Sequence, residues 1–191
     1  MRCTSVGAGM LLMLLLAAQA HAQQCKGVSF APHVQVQGAT LDLNGLGLRE
    51  ATFFKVSVYV AALYVAMPAH DPAELLRQSP PKQLLLQFVR GVGVTDLREA
   101  FAKGFDSAAG AQLPALRTRI ASLQGMLRDV RSGERMGFTW LRDHSVQFDL
   151  DGQVRGSIPG EDFGQALLRI WLGEHPPNPE LKSGLLGGAC P

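Results

Sequence analysis

Arg49, Lys55, Ser57 and Tyr59 stand in or just before the most apolar part of residues 43–67, "LNGLGLREATFFKVSVYVAALYVAM". Lys55, Ser57 and Tyr59 fall at every second position of it. Such a set offers polar recognition. Its surroundings admit three readings: a membrane span, a buried strand, or one wall of a binding site. In a strand, alternate side chains face opposite sides. Phe54, Val56, Val58, Val60 and Ala62 then share a uniformly apolar face, and Phe53, Lys55, Ser57, Tyr59, Ala61 and Leu63 share a mixed one. A solvated face and a half-covered wall, polar at one end and apolar at the other, both fit that mixture.

Other chemistry is sparse. His33, His70, His144 and His175 have no metal-ligand spacing, and there is no C-x-x-C pair, nucleophile elbow or P-loop. "GLGLRE" lacks the third glycine of a dinucleotide fingerprint. Glu161 and Asp162 open a helix, where carboxylates oppose the positive end of the helix dipole. Asp149 and Asp151 flank a turn. No metal or cofactor is expected. The net charge is +2 and no basic stripe interleaves with aromatics, which sets nucleic acid aside.

Residues 1–22 carry Arg2, an apolar run over residues 10–18, and Ala20-His21-Ala22. That is the pattern of a secretory signal peptide with an A-x-A cleavage site, and the run is short for a membrane span of ~20 residues. The expectation is a cleaved signal over 1–22, no stable span afterwards, and one exported domain over 23–191. Two cysteines then remain, Cys25 and Cys190, near opposite ends of the mature chain. A disulfide between them and two unpaired thiols are both open. An oxidising compartment favours the disulfide.

The elements that must position these residues read as follows. Residues 33–43 alternate around a Gly-Ala turn as a hairpin, and residues 52–66 read as one long strand. A short helix enters through Asp71-Pro72, and a strand starts at Lys82. A helix starting near Thr95 or Asp96, with Asp96 and Glu99 as a capping box, turns Leu97, Phe101 and Phe105 to one side. Leu113, Leu116, Ile120, Leu123, Leu127 and Val130 form a second helical stripe. Three strands follow, over about 135–141, 145–150 and 153–158, with Asp151-Gly152 as a hairpin turn. A helix over about 161–172 and a short last helix reaching Leu186 complete the chain. Strands, helices, strands and helices in that order argue for α+β, with helices packed on a largely antiparallel sheet.

Two segments carry a family resemblance. "LNGLGLREATFFKVSVYVAALYV" and "SIPGEDFGQALLRIWLGEHPPNPELKSGLLG" resemble the N- and C-terminal signatures of the exported bacterial branch of the chalcone isomerase-like superfamily. The order of elements between them is similar too. The resemblance implies an antiparallel sheet around a long central strand, helices layered on one face, and a ligand cleft between them. In the family's isomerases an arginine after a Gly-x-Gly-type turn polarises the site, and it matches Arg49. A strand residue that orients the substrate carbonyl falls on Tyr59. The isomerases' Tyr, Lys and Asn on the first large helix have no full counterpart in "VTDLREAFAKGFDS", where Arg98 and Lys103 are the only cations. That departure argues against flavonoid ring closure. An Arg and a Tyr at these two positions resemble the fatty-acid-binding members, in which the pair holds a carboxylate.

The resemblance thus implies a periplasmic or secreted, non-catalytic domain binding a fatty acid or similar amphipathic carboxylate through Arg49 and Tyr59. Lys55 and Ser57 would stand nearby, and Leu97, Phe101 and Phe105 would meet the acyl chain. An intramolecular lyase with a modified site and an envelope interaction module with a vestigial cleft are the alternatives. Oligomeric state is not readable.

Overall fold

The computed structural model describes residues 22–51 and 54–190. The signal-peptide pattern lies outside the described residues but for Ala22. Nine strands are named in chain order: β1 (Gln23–Cys25), β2 (Val28–Phe30), β3 (His33–Val36), β4 (Ala39–Ala51), β5 (Val56–Val65), β6 (Lys82–Phe88), β7 (Arg135–Trp140), β8 (Val146–Leu150) and β9 (Gln153–Ile158). The helices are α1 (Pro72–Arg77), α2 (Val94–Ala109), α3 (Leu113–Met126), α4 (Glu161–Leu172) and α5 (Pro179–Leu185). Strands β3 to β9 form a seven-stranded antiparallel sheet in sequence order, and β1 and β2 pair separately.

Period-two alternation sets the layers. Leu84, Leu86 and Phe88 of β6, Met136, Phe138 and Trp140 of β7, and Val146, Phe148 and Leu150 of β8 are all buried on one face. The helices cover that face. Leu97, Phe101 and Phe105 of α2, Leu116, Ile120 and Leu123 of α3, and Phe163, Leu167 and Trp171 of α4 meet it in one core. On the opposite face, Val28 and Phe30 of the small hairpin cover Leu41, Leu46, Leu48, Val60 and Ala62 of β4 and β5. Both faces of β5 are therefore buried over its second half, which is why that half reads as a continuous apolar run.

Several boundaries differ from the sequence expectation, each for a local reason. The first hairpin turns at Gln37-Gly38, both with positive φ, and not at Gly-Ala. Its second strand continues to Ala51, through Gly45 and Gly47, which therefore sit within a strand and not in a turn. They are needed for close approach. A Cβ on Gly45 would collide with the Gly184 carbonyl oxygen of α5, and one on Gly47 with that of Leu181. Strand β5 starts at Val56, because Lys55 adopts a left-handed turn conformation. Helix α2 starts at Val94 with Gly93 as cap, so Asp96 is not the cap. The Val94 N–H is instead met by Asp129 Oδ1 at 2.8 Å. Helix α3 ends at Met126, and Val130 continues the core from an isolated bridge to Val92. The Asp151-Gly152 turn forms as expected, both residues having positive φ.

Cys25 and Cys190 are joined as a disulfide, with Cα atoms 5.7 Å apart and a sequence separation of 165. In the chain-entropy model a loop of that length is worth about 5 kcal/mol. Among the described residues no helix is long and apolar enough to cross a membrane.

Candidate functional site

Arg49 on β4 and Tyr59 on β5 are direct cross-strand partners. Residues opposite each other in an antiparallel pair share a face, with Cβ atoms about 5 Å apart. Theirs is the helix-covered face, since Tyr59 packs against the helical core. A β-bulge follows at once: Arg49 pairs with Tyr59 but Glu50 pairs with Ser57, leaving Val58 as the extra residue. The bulge puts Val58 beside Tyr59 against the helical core. It puts Ser57, opposite Glu50, on the other face, so Ser57 does not join Arg49 and Tyr59 as simple alternation had it. Lys55 is an exposed turn residue whose positive charge acts on Glu180.

Tyr59 is held by two aromatic neighbours. Its ring stands edge-on to Phe88, its β6 partner, with centroids 5.6 Å apart. Its oxygen accepts a hydrogen bond from Trp171 Nε1 of α4 at 3.0 Å. Burial pushes the phenol up to about 12, against the opposing pulls of the Trp171 hydrogen bond and the Arg49 charge. Tyr59 is therefore a neutral donor throughout the physiological range. Since indole N–H can only donate, the phenol oxygen is the acceptor there and its own proton remains to be given. Among the described residues no acceptor takes that proton.

Arg49 is half-buried. Its Nη1 donates to the Glu50 carbonyl oxygen, and among the described residues no carboxylate forms an ion pair with it. The backbone around it is pinned by Asn178, the cap residue of α5. Asn178 Nδ2 donates to Leu48 O at 3.1 Å, and its Oδ1 accepts from Glu50 N–H at 3.3 Å. Strand β3 begins at His33 opposite Asp42 and pairs only with the start of β4, so the edge of β4 beyond Asp42 would otherwise be unpaired. Asn178 sits between Pro177 and Pro179, a helix-entry pattern legible in the sequence, but its partner strand was not. Trp171 reads in sequence only as part of an apolar helix face.

Of the residues expected to meet an acyl chain, Phe101 is nearest to the pair in the network of contacts. It packs edge-on to Trp171 at 6.3 Å and to Phe138 at 5.8 Å. Phe105 packs on Phe163 at 5.5 Å, deeper in the core, and Leu97 is buried beside α2's start. Arg98 and Lys103 are exposed, with Arg98 Nε donating to Gln124 O of α3. A broad depression of about 680 Å³ beside α5 is lined by His70, Glu174, Lys182 and Leu186 among others. A smaller one of about 60 Å³ adjoins Lys82, Trp140 and Glu161. Neither is lined by Arg49 or Tyr59.

The expected acidic pair at the start of α4 proves to be architectural. Asp162 receives both Nη atoms of Arg119, each at 2.6 Å, and this pairing holds its carboxyl below the usual range.

The order of strands and helices and the antiparallel meander covered by helices on one face are the frame in which the Arg49–Tyr59 pair sits. The chain belongs to the chalcone isomerase-like family, whose model matches residues 22–187. Its fold is similar to that of the Arabidopsis thaliana fatty-acid binding protein AtFAP1, seen by crystallography. The TM-score is 0.69 at 16% identity, covering 84% of this chain and 92% of that one. No curated protein matches the chain.

Proposed function

We propose that this protein binds a fatty acid, or a similar amphipathic carboxylate, with the headgroup held between Arg49 and Tyr59. The observation that carries the reading is the surplus of donors at one place. A half-buried guanidinium without a carboxylate partner lies beside a neutral phenol whose proton is unused. A carboxylate supplies what both lack: it accepts a forked pair of bonds from guanidinium and a third from phenol. The fatty-acid binding protein of the same fold supports the choice of ligand class. The acyl chain would run from Tyr59 past Val58, Phe88 and Phe101, with each buried methylene contributing roughly 0.8 kcal/mol. Because Leu97 and Phe101 are already packed, seating the chain there requires α2 to shift on the sheet.

We also infer that the protein works outside the cytoplasm. The Cys25–Cys190 bridge suits an oxidising compartment, and residues 1–22 have the export pattern. The lyase alternative gains nothing at α2, where Arg98 and Lys103 face solvent.

Organic extraction of the purified protein followed by mass spectrometry should release a long-chain acid. Titration of the delipidated protein with palmitic acid should give saturable binding. A protein that neither carries nor takes up an acid would overturn the proposal.

A further inference from the structure

We infer that Trp171 fixes the direction of the hydrogen bond at Tyr59, and so makes the Arg49–Tyr59 site selective for ionised, acceptor-only headgroups. The inference rests on the carboxylate-binding reading above and names what that site rejects. An indole N–H has no acceptor capacity, so the 3.0 Å contact runs one way, from Trp171 to the phenol oxygen. Trp171 cannot readily turn to release it. The ring is 2% exposed and wedged between Phe101 and Phe138, with centroids 6.3 and 5.8 Å away. With one side of the Tyr59 oxygen occupied, its O–H must point away from Trp171. Arg49 beside it is donor-only by chemistry.

Every polar hydrogen this pair shows a ligand therefore needs an acceptor. A carboxylate has two oxygens, no proton and room for about four bonds. A fatty alcohol or primary amide brings donors of its own. One of them would face the guanidinium or the phenol proton and lose its bond to water without replacement, a costly exchange in a dry site. Without the indole N–H, the phenol could rotate and accept from an alcohol. Trp171 thus acts through Tyr59 as a positioning residue that sets specificity.

The test compares palmitic acid with hexadecanol, on the delipidated full-length mature protein at neutral pH. The quantity read is the ratio of the two affinities in the wild type against the ratio in Trp171→Phe, so that differences in ligand solubility cancel. The expected result is a ratio that falls by about tenfold, one lost charge-assisted hydrogen bond's worth. The drop should come from weaker acid binding with alcohol binding unchanged or improved. A merely structural role would weaken both ligands together and leave the ratio where it was, which would overturn the inference while leaving the carboxylate reading intact. Binding of neither ligand by the wild type would sink both. Because Trp171→Phe shrinks a packed ring, ultraviolet resonance Raman gives a second measurement that leaves Trp171 in place. The difference between wild type and Tyr59→Phe isolates the Tyr59 doublet, which reports whether the phenol oxygen accepts. An accepting phenol supports the inference, and one that only donates overturns it.

Discussion

Two polar constellations interrupt the buried face of the same sheet, and they are built on opposite principles. Near the C-terminal end of α5, Asn44 sits on a bulge of β4 with both amide protons and its oxygen bonded. Its Nδ2 donates to Ala69 O at 3.0 Å and Leu185 O at 2.7 Å, and its Oδ1 accepts from Ala69 N–H at 2.7 Å. At the other end of the same strand, Arg49 and Tyr59 keep donors in hand. Buried polar groups are ordinarily satisfied within the protein, because leaving one unpaired costs roughly 1–3 kcal/mol. A closed set such as that of Asn44 holds the chain together. An open set of donors on one face is what the proposed carboxylate would close. Their difference sets a closed hydrogen-bond network against an open one within a single strand.

Breaking the closed set should produce the largest effect on stability. Asn44→Leu leaves the Ala69 N–H and two carbonyl oxygens without partners, and should cost about 3 kcal/mol in urea unfolding. Since Leu185 lies on α5, the helix that also supplies Asn178, some loss of ligand affinity should accompany it. A variant as stable as the wild type would show that the Asn44 set is ornamental and would remove the contrast.

Breaking the open set should do the reverse. Arg49→Ala removes the guanidinium fork but leaves no carboxylate stranded. Palmitic acid binding should weaken by about a hundredfold while the unfolding midpoint stays close to that of the wild type. Arg49→Lys should fall between, since an ammonium keeps the charge but not the fork. Equal affinity in all three proteins would mean that the headgroup sits elsewhere.

Lys82 tests the rule from a third position on the sheet. It is 3% exposed on β6, yet its Nζ donates to Leu75 O at 2.7 Å and reaches Leu76 O at 3.4 Å, capping the end of α1. It belongs with Asn44 by geometry, but it is titratable. Burial brings it down from 10.5 to about 8, partly offset by Glu161. The folded protein therefore gives up a proton near pH 8 that the unfolded chain keeps until about 10.5. Between those values the unfolded state binds more protons, so stability rises with pH from this residue. The buried charge costs stability below pH 8, and that cost is relieved above it. Lys82→Met should lack this rise, and the stability difference between the two proteins should move by up to about 2 kcal/mol in favour of the wild type across the window. A constant difference would mean that Lys82 titrates as if in water.

Much of this was legible in the chain itself, and the failures have a pattern. Alternation in β6, β7 and β8 and the 3–4 spacing in α2 and α3 report burial directly, because one face of each element is apolar and the other is not. Arg49 and Tyr59 were reachable through the resemblance of their flanking segments. The bulge at Val58 was not. It inserts one residue without any glycine or proline to mark it, and it reverses the face of Ser57. The continuation of β4 through Gly45 and Gly47 was hidden for the opposite reason. Glycines signal turns when read locally, and here they answer to the backbone of α5, more than 130 residues away in sequence. Trp171 belongs to the core by its place on the apolar face of α4; its indole N–H gains meaning only once α4 is laid across β5.

The smallest expected effect sharpens the edge of the open set. Lys55 alternates with Tyr59 in sequence, and simple alternation puts it on the same face as Tyr59. The structure puts it in the exposed turn before β5, at φ 49°, with Glu180 as the charge it acts on. An exposed charge at that remove interacts with a ligand mostly through water and salt, and such interactions are worth little. Lys55→Ala should leave palmitic acid affinity within about twofold and should slow association only at low ionic strength. If affinity instead falls as far as in Arg49→Ala, the turn must fold down over the headgroup in the bound state. The open set would then be a clamp of two cations and one phenol closed by the ligand, and no longer a fixed pair on a strand.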